Sequence, residues 1–378
     1  MSDASIPISA FPIRPLAGGG TGGSRGGASP GTPGTPLLTR KAGMFGADRI
    51  LFGLCFGSCL VVVGMLLSLV VVLTVGALPS IKHFGPKFLT QSEWRSAEIA
   101  ARTPDGKIVY DADGETAMNP PTYGAAAVIY GTCVTSAIAL LLAVPPSLAA
   151  AIFLIRIAPR WLADPTSFLI EFLAAIPSLA YGLWGMFVLV PFLRDHVEPL
   201  MLKLFGDWPG LSRLFHDAAG RPVVMTGSDL LAGGVILAIM ILPIITAISR
   251  DVLRAVPRAQ IEGSIALGAT WWQSAKEMLK FSRGGLFGAI MLGLARAAGE
   301  TMAVAMVIGI NTQIRISPFA PAQTMSSLLA VTFGEANDDV EKASLVQVAL
   351  ILLVMSLIFN VVARYLVVGK AVRPATAA

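Results

Sequence analysis

Charged residues are scarce in this sequence. Only 13% of its 378 residues are Asp, Glu, Lys or Arg, whereas soluble domains carry about 25%. Hydrophobic residues make up 54% of the chain, and the mean hydropathy is +0.72. This composition excludes an ordinary soluble domain and predicts a polytopic membrane protein.

Several groups that catalysis would need are also missing. The three cysteines, Cys55, Cys59 and Cys133, lie in apolar stretches without disulfide or metal-ligand spacing, so we interpret them as small packing residues. No segment has the Gly-x-x-x-x-Gly-Lys-Ser/Thr pattern of a nucleotide-binding loop. The apolar stretches hold no His-Glu-x-x-His motif and no pair of aspartates. We therefore expect neither an intramembrane protease nor another enzyme.

The polar segments do not suggest a further folded domain. Residues 1–43 are rich in Gly, Pro and Ser, a composition that buries too little apolar area to fold, so we predict a disordered tail followed by a membrane domain over 44–378. No metal site is predicted, because the acidic residues Asp111, Asp113 and Glu115 lack the twelve-residue spacing of a calcium loop.

Six apolar runs are long enough to cross a bilayer, which takes roughly 20 residues in a helix. They predict an all-α protein with six transmembrane helices. Prolines inside the second and third runs allow these helices to be tilted or broken. The runs are 50–78, 125–155, 166–193, 229–248, 286–310 and 343–368.

The distribution of Lys and Arg predicts the orientation. Fifteen lie on the side of the termini, and eleven lie in the loops 79–124, 194–228 and 311–342, which also hold fourteen acidic residues. The positive-inside rule therefore places both termini in the cytoplasm and these three loops on the periplasmic side. The net charge of +5 is then a topology signal, not an indication of nucleic-acid binding.

The predicted cytoplasmic loop 249–285 contains two short helical patterns. The first covers 259–267, and the second, 271–281, has Trp271, Trp272, Ala275, Met278 and Leu279 near one face. The pattern alone fits two arrangements: a hairpin anchored by tryptophans at the lipid headgroups, or a lever that docks into a groove of a cytoplasmic partner.

The spacing within this loop favours the docking lever. Glu262, Gly263 and Ser264, followed four residues later by Gly268 and then Ala269, resemble the Glu-Ala-Ala-x-x-x-Gly signature of ABC importer permeases. That resemblance implies a MetI-like ABC importer permease fold, and it implies that these five residues form the loop that couples the permease to an ATPase.

Other segments resemble one branch of this family. The sequence GLARAAGETMAVA at 293–305 is similar to the Gly-Arg-Ala-x-Gly-Glu-Thr-Met-Ala-Val segment of the PstC family of phosphate ABC importer permeases. The segment EFLAAIPSLAYGLWGMFVLVP at 171–191 resembles the same family. The resemblance covers about 50–370 and implies phosphate import; a permease for sulfate or molybdate, or the sister PstA type, is the alternative.

The resemblance also implies partners. These are a PstA-like homologous permease subunit, a PstB-like cytoplasmic ATPase dimer and a PstS-like extracytoplasmic phosphate-binding protein, in the bacterial inner membrane. ATP and Mg²⁺ would be bound by the ATPase, and no cofactor is expected on this chain.

Two opposite charges, Arg296 and Glu300, lie in the fifth run. An intramembrane charge costs about 2.5–3.5 kcal/mol on insertion scales, so it usually faces a partner or a polar path. We expect the two residues on one face of a single helix, four residues apart. Our hypothesis is that Arg296, Glu300 and Thr301 line the substrate pathway, with Arg296 as the anion-binding cation and Glu300 moderating it; a structural salt bridge is the alternative.

Overall fold

The computed structural model describes residues 46–96, 99–100, 118–206, 208, 212–216 and 223–371. Nearly all secondary structure is helical, and the two strands are two residues long and pair antiparallel, Ile99 with Asn119. Two π-helical stretches, Gly185–Leu189 and Leu193–Val197, join α5, α6 and α7 into one continuous helix. In chain order the elements are α1 (Gly46–Phe84), α2 (Lys87–Thr90), β1 (Ile99–Ala100), β2 (Met118–Asn119), α3 (Ala126–Arg156), α4 (Arg160–Ala174), α5 (Ser178–Trp184), α6 (Val190–Phe192), α7 (Glu198–Phe205), α8 (Ser212–Phe215), α9 (Leu230–Arg254), α10 (Arg258–Ala266), α11 (Trp271–Phe281), α12 (Arg283–Gly299), α13 (Met302–Val307), α14 (Met325–Thr332) and α15 (Asp339–Ala371).

The predicted number of spans is confirmed in a modified form. Four helices of the described chain are long and apolar enough to cross a membrane, Arg49–Phe84, Ala126–Arg156, Leu230–Arg254 and Asp339–Val362. Two bent pairs bring the number to six if each pair is counted as one span: α4 with the helix Ser178–Phe205, at 90°, and α11 with α12, at 68°. The predicted third run is interrupted by the bend after α4, whereas the Pro145–Pro146 pair leaves α3 continuous.

Local sequence explains the break between α4 and α5. Proline lacks the N–H group that a helix needs and disfavours the helical conformation of the preceding residue, Ile176. The backbone accordingly leaves the helix after Ala174, and Pro177, at φ −58° and ψ 141°, starts the next one.

The central packing contact joins α3 and α9 through small side chains. Backbones approach closely in membrane proteins where Gly, Ala, Ser and Thr line the interface, because packing between helices replaces the hydrophobic effect there. A Cβ on Gly234 of α9 would lie 2.4 Å from Ile138 Cγ2 of α3, so this glycine is needed for the contact. The buried face of α3 carries a small residue at every fourth position: Ala127, Gly131, Thr135, Ala139, Ala143, Ser147 and Ala151.

Two smaller apolar clusters lie at the ends of α3. At the predicted periplasmic end, Phe88 and Tyr123 pack with Met325 and Leu345. At the predicted cytoplasmic end, the cluster consists of Ala151, Leu253, Val256, Met278 and Leu286. The second cluster attaches α11 to the membrane helices and so positions the predicted coupling loop.

The chain divides into two compact units, residues 1–62 and 63–378. In the first, the described residues are helical, and Phe52 stacks on Phe56 with ring centroids 6.3 Å apart. The predicted tail, 1–43, and the acidic residues at 111–115 lie outside the described residues. The three cysteines are free and exposed in the single chain, not buried as packing residues.

Candidate functional site

The predicted coupling loop folds as two short helices with a sharp turn between them. The first is α10, and it ends where Gly268 takes φ +83°, a left-handed conformation that glycine adopts without strain. The Gly268 N–H donates to the Ile265 carbonyl at 2.9 Å, and the Ala269 N–H donates to the Ser264 carbonyl at 3.1 Å. Glu262 is exposed, and a Cβ on Gly263 would have open space among the described residues.

The tip of this loop projects apolar side chains into solvent. Leu267 is 91% exposed, and Ile265 and Trp272 are 52% and 62% exposed. No residue of α10 is fully buried, and apart from the half-buried Ile261 and Ser264 the helix is accessible to a partner. An exposed apolar tip of this kind fits docking into a groove, although its sequence alone also fitted a membrane anchor.

The second helix of the loop, α11, buries part of the predicted apolar face, while both tryptophans stay exposed. Thr270 and Gln273 form a capping box that starts α11. The predicted apolar face is only partly buried: Ala275 and Met278 are buried, but Trp271 remains 45% exposed. Ser274 takes the buried position instead, because its hydroxyl has polar partners, described below.

The expected placement of Arg296 and Glu300 on one helix is wrong. Helix α12 ends at Gly299, and Glu300 is extended, with φ −71° and ψ 132°. After Thr301 the chain enters α13, so the helix in the run 286–310 is interrupted at Glu300 and Thr301. The described residues contain no Arg296–Glu300 salt bridge, which contradicts the predicted intrahelical pair.

Arg296 lies in the last turn of α12 on an open face. Its side chain is exposed, and it makes no hydrogen bond or ion pair to any described residue. Leu292, one turn earlier, is 53% exposed, and a Cβ on Gly288 or Gly299 would meet nothing within 4 Å in the described structure. The Tyr181 hydroxyl of α5 lies close enough to Arg296 for an electrostatic interaction.

Glu300 and Thr301 hold the break in place. The Glu300 carboxylate accepts a long hydrogen bond, 3.4 Å, from the Ala303 N–H at the start of α13. The Thr301 hydroxyl donates to the Gly299 carbonyl at 3.3 Å. The Ser326 hydroxyl donates to the Glu300 carbonyl at 2.6 Å, so a residue of α14 satisfies one backbone group that the break exposes.

The start of α14 is a functional element that our sequence reasoning missed. Thr324 and Ser327 form its capping box, and Ser326, only 4% exposed, points to the break. The Met325 N–H donates to the Thr132 hydroxyl of α3 at 2.9 Å. The signal was present in the sequence, since three hydroxyl residues within four positions before an apolar run indicate a helix start.

The α4–α5 break lies beside the α12–α13 break. The Tyr181 hydroxyl donates to the Leu173 carbonyl at 2.8 Å across the bend. A Cβ on Gly182 would lie 3.0 Å from the Ala303 Cα, so the absence of a side chain here permits close helix contact. Two interrupted helices therefore pack against each other, an arrangement that exposes backbone groups where a substrate can reach them.

The chemistry of this site suits an anion. A guanidinium presents a planar fork of N–H donors that matches the oxygen atoms of an oxyanion. Arg296 has this fork free of protein partners in the described structure, and the Tyr181 hydroxyl is within electrostatic reach of it. No group of three His, Cys, Asp or Glu side chains that could hold a metal occurs among the described residues.

Two buried carboxyl groups lie apart from this site, next to the start of α9. Glu198 of α7 and Asp229, the N-cap residue that precedes the span, have no exposed surface. Asp229 Oδ1 accepts a hydrogen bond from the Ala232 N–H at 2.8 Å; Oδ2 and both Glu198 oxygens lack a partner of normal geometry in the described chain. Burial, with a contribution from the neighbouring Glu198 carboxyl, raises the pKa of Asp229 to about 8.

Comparison with known proteins identifies the class of this arrangement. The family model described as "Binding-protein-dependent transport system inner membrane component" matches residues 143–369, which include both helix breaks and the loop 249–285. A solved structure of the MetNI methionine ABC transporter in an inward-facing conformation aligns over 64% of this chain and 93% of the transporter chain, with 18% identity and a TM-score of 0.46.

Individual relatives cover most of the chain. "Phosphate transport system permease protein PstC" of Mesorhizobium japonicum is 40% identical over 322 residues, 84% of this chain and 89% of the relative. The protein of the same name from Haemophilus influenzae is 38% identical, covering 80% and 87%. "Probable phosphate transport system permease protein PstC" of Methanocaldococcus jannaschii is 33% identical, covering 76% and 84%. The chain therefore belongs to the family of binding-protein-dependent transport system inner membrane components, as a multi-pass permease subunit of the PstC type.

Proposed function

We propose that this chain forms one half of the membrane path through which an ATP-driven importer moves inorganic phosphate. The other half would be a homologous PstA-like permease. A cytoplasmic PstB-like ATPase dimer would bind ATP and Mg²⁺, and a PstS-like binding protein would deliver phosphate from outside. The proposal draws the substrate from the names of relatives that are 33–42% identical and draws the site from the geometry of Arg296.

The observation that carries the proposal is the exposed Arg296 in the last turn of α12, inside the apolar run 286–310. A charged side chain inside a bilayer faces a partner or a polar cavity, because lipid does not solvate it. Arg296 lacks a partner among the described residues, and the glycines beside it leave its face open. The face that carries Arg296 would point towards the second permease subunit, because the two chains would then enclose a polar path and keep the charge away from lipid.

The proposed site binds phosphate weakly enough to release it. Conduction requires binding that permits both entry and exit. One guanidinium with a nearby hydroxyl group is a modest site for an anion with one to two charges. Glu300, four residues away and held at the start of α13, would reduce the local positive potential and prevent trapping.

The loop 249–285 would couple this site to ATP hydrolysis. In the proposed topology both termini and this loop are cytoplasmic, and the exposed tip at Leu267 would dock into the ATPase, with Glu262, Gly263, Ser264, Gly268 and Ala269 shaping the docking turn. Because α11 and α12 form one bent pair, movement of the loop reaches the helix that carries Arg296. Closure of the ATPase would then change the exposure of the pathway.

Phosphate uptake by substituted transporters tests the proposal. We expect Arg296→Ala to reduce uptake at least ~10-fold, the effect of losing a charge-assisted hydrogen bond, and Arg296→Lys to reduce it less because the charge remains. Glu300→Gln should alter the rate by changing release. Arg364→Ala, which removes an exposed arginine of α15, is the matched control and should transport normally.

The proposed pathway role fails if Arg296→Ala and Glu300→Gln both transport phosphate at nearly the normal rate. Membrane abundance of each variant, measured by immunoblot, separates a transport defect from loss of the protein. Uptake of sulfate in place of phosphate by the unsubstituted transporter would move the proposal to another oxyanion.

A further inference from the structure

The loop helices touch the membrane helices at few points. Helix α10 buries none of its residues, and α11 buries only Ser274, Ala275 and Met278. Met278 belongs to the apolar cluster at the predicted cytoplasmic end, and Ile261 of α10 packs against the edge of that cluster. Ser274 is the polar residue among these buried contacts, and it is 1% exposed.

One oxygen atom, Ser274 Oγ, joins three helices. Arg156, the last residue of α3, donates to it from Nη2 at 3.3 Å. Ser264 of α10 donates to it from its hydroxyl at 3.1 Å, and the same hydroxyl lies 2.7 Å from the Ile261 carbonyl. Since Ser274 is itself on α11, its hydroxyl connects both loop helices to the end of α3.

The Arg156 guanidinium is partly buried in this junction. Its Nε has no hydrogen-bond partner within the described residues, and its Nη2 donates to Ser274, which offsets part of the cost of burial. Arg156 also ends the helix that packs along α9 through small residues. A force applied at the end of α3 acts directly on that packed pair.

A hydrogen bond fixes the relative position of two helices more precisely than an apolar contact does. The attraction between donor and acceptor depends steeply on distance and angle, whereas apolar side chains can slide and repack. We propose that Ser274 is a positioning residue that makes α3 follow the movement of the coupling loop, through the Arg156–Ser274–Ser264 junction. This inference rests on the proposed function, since it assumes that the loop is moved by an ATPase.

The sequence of the loop adds a useful variant. The signature that this loop resembles has Ala where this chain has Ser264, so Ser264→Ala restores the signature residue and removes only one of the two donors to Ser274. Ser274→Ala removes the acceptor itself. Ser282→Ala is the matched control, because the Ser282 hydroxyl donates to the Met278 carbonyl within α11 and joins no other helix.

The test measures the number of phosphate ions imported per ATP hydrolysed by the complete transporter in proteoliposomes, supplied with phosphate-loaded binding protein. We expect Ser274→Ala to lower this ratio at least ~5-fold, the size expected for the loss of a hydrogen bond to a charged group. ATP hydrolysis should continue, because the loop still docks. Ser274→Thr, which keeps the hydroxyl, should restore the ratio, and Ser264→Ala should lower it less.

An unchanged ratio in Ser274→Ala, with ATPase and uptake both normal or both reduced equally, would overturn the inference. If Ser274→Ala does not assemble, Ser264→Ala and Arg156→Lys carry the same test, and unchanged ratios in both would overturn it. Failure of the proposed function looks different: the unsubstituted transporter would then import no phosphate, whatever residue stands at position 274.

Discussion

The α3–α9 contact and the open face of α12 differ in how closely they are packed within this chain. In the first, small residues recur every four positions, and backbones approach so closely that Gly234 has no room for a Cβ. In the second, Gly288 and Gly299 border open space, and Arg296 lies exposed between them. Glycine thus serves close packing in one region and free volume in the other.

The difference shows that residue type alone does not determine the role of a membrane helix. Both α3 and α12 repeat small residues at every fourth position of a packed face, which in α12 are Gly285, Ala289, Gly293 and Ala297. Gly288, Arg296 and Gly299 lie instead on the exposed face of α12. Beside the closed contact, polar groups form hydrogen bonds inside the protein, as Ser147 does with the Leu242 carbonyl at 3.1 Å. On the open face the polar group is left available to a ligand or a partner chain.

The strongest way to break this comparison is to add one methyl group in each region. A Cβ at position 234 would lie 2.4 Å from Ile138 Cγ2 of α3, whereas one at 288 would meet nothing within 4 Å in the described structure. We expect Gly234→Ala to lower the free energy of unfolding in detergent by about 1–3 kcal/mol, the usual cost of overpacking. Gly288→Ala is the matched control and should leave the thermal midpoint unchanged.

Equal effects of the two substitutions would contradict the distinction between a closed and an open region. A loss of stability in Gly288→Ala, measured in the isolated chain, would mean that the α12 face is covered by part of this same chain.

The buried carboxyl pair, Glu198 and Asp229, differs from both regions. Its side chains are buried, but three of their four oxygen atoms have no hydrogen-bond partner of normal geometry among the described residues. The folded state keeps the Asp229 proton up to about pH 8, whereas an unfolded aspartate loses it near pH 4. The folded state therefore binds more protons between these values, and the contribution of Asp229 to stability falls as the pH rises through this window.

Asp229→Asn removes this titration and keeps Oδ1 as the acceptor for the Ala232 N–H. We expect the variant to unfold ~2–4 °C above the parent at pH 8, which corresponds to about 1 kcal/mol, and at nearly the same temperature at pH 5. Thermal unfolding in detergent at the two values measures it. A variant that is less stable at pH 8, or shifted equally at both, would contradict the proposed trapped proton.

The smallest expected effect concerns the link between the two regions. Ser326→Ala removes the hydrogen bond to the Glu300 carbonyl while the start of α14 stays attached to α3 through Thr132. We expect a loss of about 0.5–1.5 kcal/mol in unfolding free energy and faster hydrogen exchange at Thr301 and its neighbours. Ser326→Thr keeps the hydroxyl and should retain most of both properties; if it behaves like Ser326→Ala, the hydroxyl is not the stabilising group.

Most of the fold could be predicted from the sequence, because run length and polarity determine spans directly. Four of the six runs correspond to the four continuous helices, and the other two fall on interrupted helices, 166–193 on α4 and α5 and 286–310 on α12 and α13. The turn at Gly268 and the helices on either side of it also lie where periodicity placed them, since glycine ends a helix by a purely local mechanism.

The break at Glu300 could not be predicted in the same way. An apolar run with good helix formers on both sides predicts a continuous helix, and only the tertiary partners Ser326 and Ala303 satisfy the groups that the break exposes. The Arg156–Ser274–Ser264 junction was missed for a similar reason, because it joins residues of three different helices. Roles of the site residues in transport stay predictions.

The most direct test of the account is the ATPase activity of the reconstituted complex of this chain, its permease partner and the ATPase. Binding protein loaded with phosphate is compared with the sulfate-binding protein of the same organism loaded with sulfate. We expect the phosphate-loaded protein to increase ATP hydrolysis, and we expect Arg296→Ala to keep this increase while phosphate uptake falls at least ~10-fold. Stimulation by the sulfate-loaded protein alone would contradict phosphate as the substrate, and normal phosphate uptake by Arg296→Ala would contradict the proposed pathway.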